Sequence, residues 1–273
     1  MAIETLKPLG VGPPVARPTE VARLPKPAET SEVLNLVSIV VPTFGQIEMT
    51  RLCLPRVLRH SRSPFEVVVV DSGSLDGTAE YLAGLADAAA CRVVAVRSEE
   101  DLDLARACAL GLERASGGLV VLLANDALVP EGWLQHLTAL ARMAADIGLV
   151  GVMTNLAPPP QWAGKLPYRL GPARGEAGGL DLGPVDEFAR QWREQNAGKH
   201  FAAERLGGPC LLFRAEVLRA LHLDRCLTPF GALDGDLVGR QVRQLGFRVF
   251  CCRDLFVHHM GSRPLVALRV AEH

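Results

Sequence analysis

Apolar and polar positions along the 273-residue chain fall into two alternating textures. Short apolar runs, rich in β-branched residues and leucine, predict strands over Leu36–Pro42, Phe65–Val70, Arg92–Val96 and Leu119–Leu123. Between them, apolar residues at helical spacing predict helices over Ile47–His60, Thr78–Ala88 and Leu102–Ala115. Pro55 lies inside the first helix, where a ring without an N–H predicts a kink or a break. The run Leu119–Leu123 is the most informative, because it stops at Asn125-Asp126 and a Pro-led helix follows at once. That helix extends from Trp133 to about Ala145, with Leu134, Leu137 and Leu140 in its apolar stripe. Strands alternating with helices of this length predict an α/β fold, a doubly wound, mostly parallel sheet with helices on both faces and right-handed crossovers.

After a further strand at Gly148–Met153 the texture changes. Asn155–Gly183 is dense in proline and glycine, too long for an idle connector, and predicts a lid or binding loop. A helix over Val185–Asn196 carries Trp192, whose helical setting favours the core. Then come a strand at Gly207–Phe213, a short helix from Ala215, a helix over Asp234–Leu245, and two short strands, Phe247–Cys251 and Leu255–His258. There is no internal repeat. Six prolines within residues 1–34 predict a flexible leader or linker, and 264–273 reads as a tail.

Composition narrows the function classes. Hydrophobic residues make up 49% and charged residues 22%, enough for a substantial core. A net charge of −1 without a long basic run argues against a nucleic-acid partner. Seven cysteines lack metal-site or disulfide-framework spacing and suit reduced thiols. No apolar stretch approaches the ~20 residues of a membrane span, and the first residues hold no signal-peptide core. A soluble, cytoplasmic protein is expected, with peripheral membrane association left open.

Chemistry can sit where strands end. Asp71 and Asp126 close two parallel strands, so their carboxylates share one rim of the sheet, where open α/β sheets bind ligands. Turn and cap chemistry is the competing account of Asp76 and, less so, of Asp71. Asp234-Gly-Asp236 opens a helix; capping explains one carboxylate and leaves the other for a cleft. His258-His259 ends a strand. An oxygen-rich site with one imidazole suits Mg2+ or Mn2+ better than structural zinc.

In order, these pieces resemble a family-2 glycosyltransferase with the GT-A fold, over roughly Val37 to Arg263. The motifs are Val-Ser-Ile-Val-Val-Pro-Thr-Phe at 37–44, Val-Val-Asp-Ser-Gly-Ser-Leu-Asp-Gly-Thr at 69–78, Leu-Leu-Ala-Asn-Asp at 122–126 and Pro-Glu-Gly-Trp-Leu at 130–134. Further on come Gly-Gly-Pro-Cys-Leu-Leu-Phe-Arg at 207–214, Asp-Gly-Asp-Leu-Val-Gly-Arg at 234–240 and Phe-Val-His-His-Met-Gly-Ser at 256–262. The resemblance implies one GT-A domain over 35–263, with a nucleotide-binding half at 35–153 and a smaller acceptor-side half at 154–263. It implies an inverting transfer from a nucleotide-diphospho-sugar, a UDP-sugar above others, to a hydroxyl of a glycan, protein or small molecule. Pro42, Thr43, Phe44, Asp71, Arg106 and Asn125 would bind the nucleotide. Asp126 and His258 would hold Mn2+ or Mg2+, and Asp234 would be the general base. Asp236 and Arg240 would support that turn, and Asn155 and Trp162 would face the acceptor.

The chain departs from the family pattern at Ala124, Gly45, Ser72, Leu233 and Ala109. These departures carry a second reading, a non-catalytic nucleotide-sugar-binding or interaction domain with a degraded metal site. No Gly-rich loop bearing Arg or Lys follows the first strand, which argues against a nucleotidyltransferase.

Overall fold

A computed structural model describes residues 35–62, 64–172, 179–228 and 232–261. The predicted leader and tail lie outside the described residues. In chain order the elements are β1 (Val37–Thr43), α1 (Ile47–His60), β2 (Phe65–Ser72), α2 (Thr78–Ala88), β3 (Val93–Ser98), α3 (Leu104–Arg114), β4 (Leu119–Leu123) and β5 (Ala127–Leu128). They continue with α4 (Trp133–Arg142), β6 (Ile147–Thr154), α5 (Gly183–Asn196), β7 (His200–Ala202), β8 (Cys210–Arg214), α6 (Ala215–Ala220), a 3-10 turn at Leu223–Cys226, α7 (Gly235–Gln244) and β9 (Arg248–His259).

One sheet runs β3-β2-β1-β4-β8-β6-β9-β5, with β7 also paired to β9. β1, β2, β3 and β4 are parallel, as are β6 and β9. The expected parallel order is interrupted by β8, which lies antiparallel between β4 and β6. Strand alternation then sorts the core. Val37, Ile39, Val41, Val67, Val69, Leu119, Val121 and Leu123 pack on one face with α1 and α4, through Cys53, Leu54, Val57, Trp133, Leu134 and Leu137. Val40, Val68, Val70, Val120 and Leu122 pack on the other with α3, α6 and α7. Helix α3 lies unusually close to the sheet: a Cβ added to Gly111 would stand 2.4 Å from Val40 Cγ1.

Three local expectations are corrected. Helix α1 runs through Pro55 unbroken for 14 residues. Pro55 and Arg51, whose carbonyl loses its i+4 partner, are both exposed, so water can take that acceptor. The two short strands at 247–258 are one 12-residue strand, β9, with a register shift where Val152↔Cys252 gives way to Met153↔Phe256. Pro42 ends no strand; β1 continues to Thr43, because the ladder to β4 stops at Val40↔Leu122 while that to β2 runs on.

All seven cysteines are free. Among the described residues no helix is long and apolar enough to cross a membrane.

Candidate active site

Parallel pairing of β1, β2 and β4 brings Thr43, Asp71 and Asn125 to one edge of the sheet, and the register sets Thr43 directly beside Asp71. Asp71 is 1% exposed. Its Oδ1 accepts from the Ser74 backbone N–H at 3.0 Å, while Oδ2 is buried with no hydrogen-bond partner among the described residues. A buried carboxylate oxygen without a donor is costly, and it marks where a ligand N–H can bind.

The turns around it are held rigid. Ser74 Oγ accepts from Gly45 N at 2.7 Å, and Asp76 Oδ2 accepts from Ile47 N at 2.9 Å, so the β2–α2 loop grips the β1–α1 loop. Asp76 Oδ1 also accepts from Thr78 Oγ1 at 2.6 Å. Partial burial works against its ionisation, but the Thr78 and Ile47 hydrogen bonds together hold the Asp76 carboxyl below its usual range. Gln46 adopts a left-handed conformation at φ 55°, a strained position that this double grip maintains. Phe44 projects from the same loop, 57% exposed.

Asn125 does not reach outward with its amide nitrogen. Nδ2 donates to Thr43 Oγ1 and Thr50 Oγ1, each at 3.1 Å, and ties the end of β4 to β1 and α1. Arg106 sits exposed on the first turn of α3, ion-paired with Glu100 at 3.0 Å. It lines a groove of about 410 Å3 against Leu218, Leu221 and Leu223.

Asp126 is 3% exposed. Its Oδ2 accepts from Gly261 N at 3.0 Å, and its backbone carbonyl accepts from Met260 N at 3.1 Å. Its Oδ1 lies 3.2 Å from His259 Nε2. Alternation along β9 therefore presents His259, rather than the expected His258, to the carboxylate. His258 faces the other way, with Nδ1 2.8 Å from Tyr168 Oη. Asn155 fixes this end of β9: Nδ2 donates to the His259 carbonyl at 2.9 Å, and Oδ1 accepts from His259 N at 2.8 Å. Beneath the pair, burial and then the Asp126 charge push the Cys53 thiol up to about 12, which keeps it protonated.

Burial first, then neighbouring His259, lowers His258 to about 4 from 6.5, Asp126 opposing. The folded protein thus resists protonating an imidazole that the unfolded chain protonates freely. Above pH 6.5 both states are neutral and His258 has no effect; below it, stability is lost down to about pH 4. The expected loss is about 3 kcal/mol, measured by denaturant titration in metal-free buffer. His258→Gln is expected to flatten that slope.

Asp234 caps α7: its Oδ1 accepts from Asp236 N at 2.8 Å and Leu237 N at 3.2 Å. Asp236 is exposed and meets Arg205 at 3.4 Å. The arginine supporting this turn is thus Arg205, which arrives from the segment before β8, and not the expected Arg240, which is exposed one helical turn on. In the predicted lid, Gln161 is buried and its amide bonds Val152 O, Gly207 O and Gly207 N at 2.8–3.0 Å. Trp162 beside it is 53% exposed. Trp192 packs into an aromatic cluster with Phe188 and Phe256, and its Nε1 donates to Arg253 O at 2.7 Å.

No group of three or more His, Cys, Asp or Glu side chains gathers at metal-binding distance among the described residues. Asp126 and His259 nevertheless form a two-donor set, one carboxylate oxygen and one imidazole nitrogen. That set fits a divalent cation such as Mg2+ or Mn2+ that takes its remaining ligands from phosphate and water. Sequence reasoning missed His259 as the partner of Asp126, and it missed Arg205. The adjacent histidines were visible, but which of them faces the edge depends on the β5–β9 register, Ala127↔His259.

The sheet, with Asp71 and Asp126 at one edge, is that of the GT-A glycosyltransferases. Comparison with solved structures gives GalNAc-T7 in a complex with UDP, GalNAc and Mn2+ (TM-score 0.60, 16% identity, 87% of this chain and 47% of that one). It also gives the mannosyltransferase PcManGT of Pyrobaculum calidifontis with GDP-Man and Mn2+ (TM-score 0.57, 20% identity, 86% and 59%). At these identities the likeness is one of fold. The family model for glycosyl transferase family 2 matches residues 38–219, and the chain belongs to that family. Its relatives include the undecaprenyl-phosphate 4-deoxy-4-formamido-L-arabinose transferase of Pseudomonas savastanoi pv. phaseolicola, 33% identical over 121 residues, 42% of this chain and 35% of that protein. Glycosyltransferase AglE of Haloferax volcanii is 30% identical over 108 residues, 39% of this chain and 35% of that protein. The chain thus spans about a third of the length of the curated relatives it matches.

Proposed function

We propose that the protein transfers a glycosyl group from a nucleotide-diphospho-sugar, a UDP-sugar first among them, to an acceptor hydroxyl with inversion. The observation that carries the reading is the unpartnered, buried Asp71 Oδ2 on the same sheet edge as the Asp126–His259 pair. In this reading Asp71 Oδ2 accepts an N–H of the base, and the Ser74, Asp76 and Gly45 contacts hold the loops that flank it. Asp126 and His259 hold a divalent cation, Mn2+ or Mg2+, which supplies charge neutralisation to the leaving diphosphate when bound. Asp234, whose Oδ1 is fixed by the helix cap, accepts the acceptor's proton as general base. The UDP and Mn2+ named for one fold neighbour, and the GDP-Man and Mn2+ named for the other, support this choice of ligands.

Calorimetric titration of UDP, GDP and dTDP with and without Mn2+ tests the reading. One nucleotide is expected to bind in a metal-dependent way, and Asp126→Ala to remove that dependence. Asp71→Asn is expected to weaken binding by about 1.5–3 kcal/mol, ~10–100-fold, the range for a hydrogen bond to a charged group. Absence of nucleotide binding under every condition would end the transferase proposal.

The second reading, a nucleotide-sugar-binding domain without turnover, is favoured by one observation: Ala124 contributes no side-chain donor, and among the described residues Asp126 and His259 alone come together as candidate ligands. Metal-dependent binding without donor turnover would select it.

A further inference from the structure

Among the described residues of 155–183, Gln161 alone is buried, at 2% exposed. A buried amide is tolerated only when its donors and acceptor are met, and this one is met three times. Nε2 donates to Val152 O at 2.9 Å and to Gly207 O at 3.0 Å, while Oε1 accepts from Gly207 N at 2.8 Å. Toward Gly207 the side chain thus acts as a neighbouring strand would, offering one donor and one acceptor to a single residue. Its own backbone is fixed as well. Gln161 O accepts from Thr154 N at 2.9 Å and Gln161 N donates to Pro158 O at 3.2 Å, so the grip is anchored to the end of β6.

Gly207 in turn touches both neighbours of Asp234. A Cβ built at Gly207 would stand 3.9 Å from Leu233 O and from Gly235 N and Cα. One built at Gly235 would stand 2.6 Å from Leu206 O and 2.9 Å from Gly207 N, too close for any side chain. A turn further on, a Cβ at Gly239 would stand 2.3 Å from Glu204 O. Helix α7 therefore rests directly on the backbone of 204–207, with no side chain between them. Elsewhere, Asp234 N donates to Cys226 O at 2.6 Å. The Arg205–Asp236 pair beside this contact has side chains 43% and 59% exposed, and water screening leaves it weak. The backbone contact with Gly207 and the Cys226 bond are what fix the start of α7.

We propose that Gln161 is a positioning residue for Asp234. It holds Gly207, against which the start of α7 rests, and so sets where the Asp234 carboxylate stands. Such a part matters to a reaction because a reacting group misplaced by ~1 Å can lose a factor of ~100 in rate. Calling Asp234 the base rests on the glycosyl-transfer reading; the clamp on Asp234 does not.

Gln161→Met in the full chain keeps the length of the side chain and removes all three bonds. It is expected to lower kcat about tenfold or more, with nucleotide Kd and donor KM within about threefold of the original. In an Asp234→Asn background the same change is expected to cost less than about twofold further, because it acts through the carboxylate. A merely structural role would lower both backgrounds by the same factor. Hydrogen exchange follows the clamp without turnover. At the Asp236 and Leu237 amides, which donate to Asp234 Oδ1, Gln161→Met is expected to speed exchange about tenfold or more, while Val69 in β2 keeps its protection. If Gln161→Met does not fold, Gln161→Glu takes its place with the same expectations, since it keeps the acceptor for Gly207 N and loses the two donations. The proposal is overturned if kcat stays within about twofold, if the loss persists unchanged with Asp234→Asn, or if exchange at Asp236 and Leu237 does not change. A wild-type chain that turns over no donor defeats the transferase reading instead, and the exchange result then upholds or overturns the clamp by itself.

Discussion

Asp234→Asn is expected to lower turnover by about two to four orders of magnitude, the range for general acid–base catalysis, with nucleotide binding unchanged. The separation follows from the two jobs that the carboxylate has. As the N-cap of α7 it accepts from Asp236 N and Leu237 N through Oδ1, and an asparagine side-chain oxygen accepts the same two donors. The helix start, the Arg205 contact at Asp236 and the close approach of Gly235 to Leu206 should therefore persist. What asparagine lacks is a basic oxygen to take the acceptor's proton. Steady-state kinetics with a turned-over donor gives the rate, and nucleotide titration gives the binding. A variant that loses nucleotide binding but keeps its rate at saturating donor would place the base elsewhere.

Trp133→Ala is expected to destabilise the fold by about 3–5 kcal/mol, the cost of truncating a large, fully buried aromatic side chain. Trp133 is 0% exposed, sits in the cluster formed by α1, α4 and the sheet, and donates from Nε1 to Ser61 Oγ at 3.0 Å. The substitution leaves a cavity and an unmet hydroxyl where α4 begins, seven residues beyond Asp126. Trp133→Phe refills most of that volume and is expected to cost less. Chemical denaturation measures both; a shift below ~1 kcal/mol for the alanine variant would mean that the site relaxes to fill the gap.

The strands and helices of the first half were legible because each carries an unambiguous signal. Apolar runs such as Val37–Val41 and Leu119–Leu123 are buried on both faces, as parallel strands covered by helices must be. Asp71 and Asp126 were placed at one edge by that parallel order alone. What escaped the sequence depends on pairings between distant segments. The antiparallel insertion of β8, the two-residue β5 and the continuity of β9 through its register shift all follow from tertiary ladders that no local pattern announces. The choice of His259 over His258 is decided by one residue of register. Arg205 lay outside every motif, and no local pattern shows that Gln161, in the Pro- and Gly-rich loop, turns its amide inward. Their roles emerge from where 158–161 and 204–207 meet. Asp234 was legible as the residue that opens a helix, since a carboxylate just before an apolar-periodic run is an N-cap signal.

The central claim is that one sheet edge binds a nucleotide through Asp71 and a cation through Asp126 and His259. A crystal structure of the protein with UDP and Mn2+ tests it most directly. The account predicts a base N–H within ~3 Å of Asp71 Oδ2, a hydrogen-bond distance. It also predicts Mn2+ between the diphosphate and the Asp126 and His259 side chains, with His258 still turned to Tyr168. A nucleotide bound away from Asp71, or a cation held without Asp126, would contradict it.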